Sequence, residues 1–311
     1  MKLKGRNLLS LMDFEPWEIR YLLSLSLSMK EEYLLGKRYW GYLENRYLAL
    51  IFEKPSTRTR VAFEVAAKQL GMHPIFISKE NSHLGRGEPV KDTARALSQY
   101  VDAIAARVLK HETLIELSKY FDGVVVNALS DKFHPTQALA DAMTIYEKLG
   151  KVEGVRVVFI GDGRDNVAHS LILALTSLGA NVRVVTAPGY EPLDEVLFEA
   201  MERARRSGGS MEIVYDPCKG VAGADVIYTD VWVSMGFESE ADKRKRDLAP
   251  YQVNKELTKC IGKDFLFMHC LPAVRGEEVT EEVIESDVSI VWDQAENKLH
   301  AQRAVLSALV P

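Results

Sequence analysis

The sequence predicts an α/β protein of two domains, each a parallel sheet flanked by helices and joined by a long helix. Three observations predict it. Short apolar runs rich in strand formers alternate with stretches of helical periodicity, the pattern of right-handed βαβ crossovers. The alternation pauses at an Ala-rich helical stretch after His134 and restarts at Val155. The chain of 311 residues suits two domains of ordinary size. The expected boundaries are 1–146, 147–292 and a terminal helix over 293–311 that packs back on the first domain.

Composition narrows the function classes. Apolar residues make up 47% and charged residues 27%, with a net charge of −5. This balance argues against a general nucleic-acid or membrane-surface binder while allowing a local basic pocket. The apolar runs are too short to span a bilayer, and no signal-peptide core follows the first residues. Cys218, Cys260 and Cys270 form neither a metal-ligand spacing nor a disulfide framework. A reducing, cytoplasmic setting is expected.

In chain order, Pro16 opens a helix that ends near Gly36. Tyr47 to Phe52 is a buried strand, and Val61 to Leu70 is a helix closed by Gly71. Between them lie Ser56, Thr57, Arg58, Thr59 and Arg60. Free backbone N–H groups and the positive end of the helix dipole favour an anion there. The hydroxyls add donors, and Arg58 or Arg60 a fork that fits phosphate. No Gly-rich run ending in Lys-Ser/Thr is present, so this is not a Walker loop. Pro74 to Ser78 is a second strand, followed by a polar loop, 79–89, carrying His83 and Arg86. A helix over 92–100, a strand over 102–108 that carries Arg107 near its end, a helix over 112–120 and a strand over 123–127 complete the first sheet. His134 and Gln137 share one face of the next helix's first turn. Imidazole and carboxamide together can hold both ends of an amide-like group.

The second half begins with the strand Val155 to Ile160 and the turn Gly161-Asp162-Gly163-Arg164-Asp165-Asn166, then a helix over 167–178. The turn resembles a dinucleotide fingerprint but lacks its third glycine, and the next strand, 182–186, has no acidic residue at its tip. Asn166, with the helix's first amides, suits a carboxylate. A helix over 191–206 and strands over 211–215 and 225–229 follow. Asp230, at a strand tip, suits an amino group. Ser234, Met235 and Gly236 open a polar loop to about Leu248, read as a lid whose charge cluster is a solvated face. The strand 265–268 ends in His269-Cys270-Leu271-Pro272. A short helix over 280–285, a last strand over 288–292 and a helix over 295–309 close the chain.

These motifs, in this order and over essentially the whole chain, resemble the aspartate/ornithine carbamoyltransferase family. They are Ser56 to Arg60, Arg107, His134 to Gln137, Asp230 with Ser234-Met235-Gly236, and His269 to Pro272. The last two favour the ornithine branch, as does a loop holding His83 and Arg86 in place of the aspartate branch's lysine. The resemblance implies a carbamoyl-phosphate-binding first domain and an ornithine-binding, Rossmann-like second domain. It implies that Ser56, Thr57, Arg58 and Thr59 hold the phosphate of carbamoyl phosphate and that Arg107 bridges phosphate and carbonyl. His134 would polarise the carbonyl, with Gln137 on the carbamoyl nitrogen and the backbone of Cys270 and Leu271 assisting. Asn166, Asp230, Ser234 and Met235 would hold the amino-acid end of L-ornithine, and Cys270 would lie near its reacting amine. No metal or cofactor is implied.

The family also works as a homotrimer or a multiple of trimers, with the loop around His83 reaching a neighbour's site. Two departures stand out. Lys298 occupies a position where the family often has arginine near the carbamoyl group, with Arg303 as a substitute from the next turn. Asp165 stands where an asparagine is common and is expected to face away from the substrate carboxylate. Alternatives are transfer to another amine (putrescine, N-acetylornithine or aspartate), a Rossmann-type nucleotide binder, and a scaffold with a relic site.

Overall fold

The computed structural model describes residues 3–234 and 236–311. The chain runs α1 (Pro16–Leu34), β1 (Tyr47–Phe52), α2 (Arg58–Leu70), β2 (His73–Ser78), α3 (Val90–Leu97), β3 (Ala103–Arg107), α4 (His111–Tyr120), β4 (Val124–Leu129) and α5 (Pro135–Leu149). It continues β5 (Arg156–Ile160), α6 (Asn166–Ser177), β6 (Asn181–Val185), α7 (Asp194–Ser207), β7 (Ser210–Val214), α8 (Pro217–Val221) and β8 (Val226–Thr229). Then come α9 (Ala241–Leu248), α10 (Lys255–Lys259), β9 (Leu266–His269), α11 (Glu281–Ile284) and α12 (Val291–Leu309).

Two parallel sheets result, in the orders β2-β1-β3-β4 and β7-β6-β5-β8-β9. Their central strands bury nearly every residue, as strands covered by helices on both faces must. The order reverses between β1 and β3 in one sheet and between β5 and β8 in the other. Crevices at such reversals, outside the carboxyl ends of the strands, are where ligands bind in open α/β sheets. Helix α12 packs against α2, α5 and α1, returning to the first sheet's side of the molecule. No helix among the described residues is long and apolar enough to cross a membrane.

The fold corrects three expectations. The expected strand over 288–292 is a single bridge between Ser289 and Phe267, and α12 already begins at Val291. The β-branched run suits either structure, and packing of α12 selects helix. The polar loop after Ser234 holds a short 3₁₀ turn, Glu238–Glu240, and α9. Its charges are not all solvated: Arg244 is 2% exposed. Finally, Cys218 and Cys260 form a disulfide, with Cα atoms 5.3 Å apart. It joins α8 to α10, two short helices that periodicity is too brief to reveal. Their approach depends on the β7-to-β8 crossover, which spacing along the chain cannot show. The argument for a reducing compartment from cysteine count falls with it.

Candidate active site

Both order reversals open onto one cavity of about 430 Å³. From the first sheet it receives Ser56, Thr57, Arg58, Thr59, Arg107, His134 and Gln137. From the second come Asp165, Asn166, Asp230, Ser234, Cys270 and Leu271, and from α12 comes Lys298. Met235 lies outside the described residues. His83 does not reach this cavity; it sits in the 3₁₀ turn His83–Arg86 beside Glu80 and Thr93.

The start of α2 is built for an anion. Thr57 is the N-cap of α2, and its side chain makes no capping bond, so the hydroxyl and the first amides of the helix are available. Arg58 supplies the guanidinium. Arg60 does not, because it lies 3.4 Å over the Phe76 ring and pairs with Glu64 at 2.7 Å. The Arg107 Nε is buried without a protein partner.

His134 and Gln137 line the same cavity. Burial first, then the charges of Lys298 and Arg107, push the His134 imidazole well below its ordinary pKa. It is therefore neutral, and its Nδ1 has no protein partner. Gln137 is fixed from both ends: Nε2 donates to Asp141 Oδ1 at 2.7 Å, and Oε1 accepts from Lys298 Nζ at 2.6 Å. Asp141 also accepts from Gln294 Nε2 at 2.7 Å and from the Tyr228 hydroxyl at 3.1 Å. Burial raises the Asp141 carboxyl to about 7 against the pull of those donors. Lys298 is buried in this region, which lowers its ammonium to about 8. Arg303 cannot replace it. Its guanidinium lies 3.8 Å over Trp40 and bonds Gln69 and the Met29 carbonyl, away from the cavity.

Two buried carboxylates, Asp165 and Asp230, line the same cavity. Asp165 is buried, with its carboxylate turned onto the start of α6. It lines the cavity, and its Oδ2 caps α6 by accepting from Val167 N at 2.7 Å and Ala168 N at 3.2 Å. Those amides are thus no longer free for a substrate carboxylate, and the Asn166 side chain remains, its Oδ1 unpartnered. Asp230 accepts the Cys270 thiol at 3.1 Å. Burial raises both carboxyls, helped at Asp165 by the charge of Asp230 and at Asp230 by that of Glu278. Two crowded carboxylates with one unpartnered hydroxyl nearby, Ser234 Oγ, suit an incoming ammonium. Burial, then Asp230, drives the Cys270 thiol far up, so it is a hydrogen-bond donor rather than a nucleophilic thiolate.

The Cys270-Leu271 turn is held from behind. The Leu271 N–H donates to His269 Nδ1 at 2.9 Å, which leaves Nε2 to donate to Glu278 Oε1 at 3.1 Å. Leu271 itself is in the left-handed region at φ +58°, a conformation kept only where surroundings impose it. Asp230, His269 and Cys270 bring metal-ligand atoms within 4.8 Å. Both nitrogens of His269 are already engaged, so this trio is not a ready metal centre.

Asp141, Tyr228, Gln294, Glu278, Asp162 and Arg244 support the site without having stood out in the sequence. Arg244 forms a buried ion pair with Asp162, between α9 and the turn after β5. That turn is not a nucleotide cradle. Asp162 is committed to Arg244, and a Cβ on Gly163 would meet the Tyr190 carbonyl at 2.6 Å, so the glycine serves close packing.

Residues 6–147 match the aspartate/ornithine carbamoyltransferase carbamoyl-P binding domain, and residues 153–309 match that family's Asp/Orn binding domain. The chain is 70% identical over all 311 residues to the whole of an ornithine carbamoyltransferase from Ignicoccus hospitalis. It is 54% identical to an anabolic ornithine carbamoyltransferase from Pyrococcus furiosus, covering all of this chain and 98% of that one. The solved ornithine carbamoyltransferases of Pyrococcus furiosus and Thermus thermophilus superpose with TM-scores of 0.95 and 0.87 at 54% and 41% identity. They cover all of this chain and 98% and 100% of theirs. With a helix-start anion pocket, a neutral imidazole–carboxamide pair and buried carboxylates lining one cleft, the chain belongs to the aspartate/ornithine carbamoyltransferase family.

Proposed function

We propose that the protein transfers the carbamoyl group of carbamoyl phosphate to the δ-amine of L-ornithine, giving L-citrulline and phosphate. One observation carries the reading. The phosphate-type helix start at Ser56, Thr57, Arg58 and Thr59, the His134–Gln137 pair and the carboxylates of Asp165 and Asp230 all line one cavity. Ser56, Thr57, Arg58 and Thr59 hold the phosphate, and Arg107 spans phosphate and carbonyl. His134 and Gln137, with Lys298 and the backbone of Cys270 and Leu271, orient the carbamoyl group. Asn166, Asp230, Ser234 and Met235 take the amino-acid end.

The neutral δ-amine attacks the carbamoyl carbon, negative charge develops on the carbonyl oxygen, and phosphate leaves. The protein contributes orientation and preset positive charge. A single well-placed donor to such an oxyanion lowers the barrier by roughly 3–4 kcal/mol. We assign 1–146 to carbamoyl phosphate and 147–292 to ornithine, with 293–311 clasping the first domain. The direction we propose is towards citrulline and arginine biosynthesis, in the cytoplasm.

The assembly we propose is a homotrimer, or a multiple of trimers, in which the loop around His83 completes a neighbour's site. His83 stands outside its own cavity, and the edge strand β2 leaves Ile75 and Phe76 exposed. The test is ureido-product formation from carbamoyl phosphate with ornithine, aspartate, putrescine and N-acetylornithine as acceptors. Ornithine-selective citrulline formation is expected. Preference for another amine would overturn the roles of Asn166, Asp230 and Ser234, and no product with any acceptor would leave a scaffold.

A further inference from the structure

Lys298 is a primary alkylamine, the same nucleophile class as the proposed acceptor, and it sits inside the cavity rather than at its mouth. It is 4% exposed, and its Nζ bonds Gln137 Oε1 at 2.6 Å. No carboxylate among the described residues pairs with it, whereas Lys30, the other lysine buried among them, is held by Glu147 and Glu296. A buried ammonium without a carboxylate is held as a cation only weakly, and burial lowers Lys298 to about 8. Near neutral pH about one side chain in ten is therefore a free amine with an available lone pair, far more than for an exposed lysine. Its hydrogen-bond partner, Gln137, is the group assigned to the carbamoyl end of the substrate.

We infer that Lys298 is itself a carbamoyl acceptor: when carbamoyl phosphate is bound and ornithine is absent, its Nζ slowly takes the carbamoyl group and the site is blocked. The inference rests on the transferase reading. The Nζ lone pair forms a bond to the carbamoyl carbon, the bond from that carbon to the bridging anhydride oxygen breaks, and the proton lost from Nζ leaves with phosphate. No other reactant is needed. The product is a neutral ureido side chain. It removes the positive charge beside Gln137 and adds bulk in the cavity. Ornithine protects, because it competes for the same carbamoyl group.

The experiment treats the whole protein with carbamoyl phosphate, with and without ornithine, and separately with potassium cyanate. Peptide mass mapping and residual citrulline formation are read over time. Citrulline formation by untreated protein is measured first; its absence would remove the transferase reading itself. With activity present, the expected result is an adduct of one carbamoyl group at Lys298, appearing ahead of exposed lysines such as Lys54. Activity falls in step by about tenfold or more at full modification, and ornithine slows both. Cyanate, which needs no phosphate site, marks lysines according to exposure. Lys298→Arg carries no adduct at that position and resists the time-dependent loss, whatever its starting activity. An unmodified Lys298, or one modified no faster than Lys54, would overturn the inference and leave the transferase reading standing.

Discussion

Replacing Arg244 with methionine removes one partner of a buried ion pair and keeps most of the side chain's volume. In the native structure the guanidinium bonds Asp162 and lies 3.8 Å over the Phe237 ring, with Glu240 at 3.3 Å from its Nε. Asp162 is 1% exposed, and its other oxygen accepts the Arg164 N–H at 3.0 Å. Methionine leaves that carboxylate buried with one backbone donor. Breaking a buried pair in this way costs about 3–5 kcal/mol, or roughly two to three and a half powers of ten in an equilibrium constant.

The loss depends on pH with a definite sign. Burial already raises the Asp162 carboxyl above its ordinary value, with Arg244 opposing the rise. Without Arg244 the folded protein binds a proton there that the unfolded chain does not. Stability of the variant therefore falls, relative to the parent, as pH rises from the unfolded carboxylate's range through the raised folded value. Denaturant unfolding at about pH 5 and about pH 8 reads this, and Asp162→Asn/Arg244→Met should recover much of the loss. The pair also pins the segment that begins at Ser234 to the turn that carries Asp165 and Asn166. KM for ornithine should rise about tenfold while KM for carbamoyl phosphate moves less than about threefold. A loss below about 1 kcal/mol, a double variant no better than the single one, or equal rises in both KM values would refute the reasoning.

Two further outcomes are expected. Cys218 and Cys260 are 42 residues apart in sequence, so opening that loop in a Cys218→Ser/Cys260→Ser variant should lower unfolding free energy by about 4 kcal/mol. Denaturant unfolding checks this, and an unchanged midpoint would mean the bond does not constrain the unfolded chain. Lys298 loses its charge as pH rises through about 8, so the affinity for carbamoyl phosphate should weaken above that pH in the parent but not in Lys298→Arg, whose guanidinium stays charged. KM for carbamoyl phosphate measured across that range decides it, and identical pH profiles would refute the assignment.

The sequence by itself determined the strand–helix alternation and the anion site at the start of α2. These depend on a few neighbouring residues: an apolar run of six for β1, hydroxyls and an arginine at a helix start, and a glycine at its end. For the same reason His134 and Gln137 were legible as a pair on one helical turn, and Asp230 and Cys270 as strand-tip residues. What a side chain meets across the fold was not legible. Arg244 reads as one more charge in a polar stretch until α9 buries it against Asp162, 82 residues earlier. Asp141 orients Gln137 only because Gln294, 153 residues later, and Tyr228 converge on it. Arg303 lies one helical turn and a half from Lys298, yet α12 turns it to Trp40 and away from the cavity. Local periodicity and capping are encoded within one element, whereas burial and pairing of charges are set by which elements pack together. Tertiary structure alone therefore decided the ion pair, the disulfide and the network that hold the site in place.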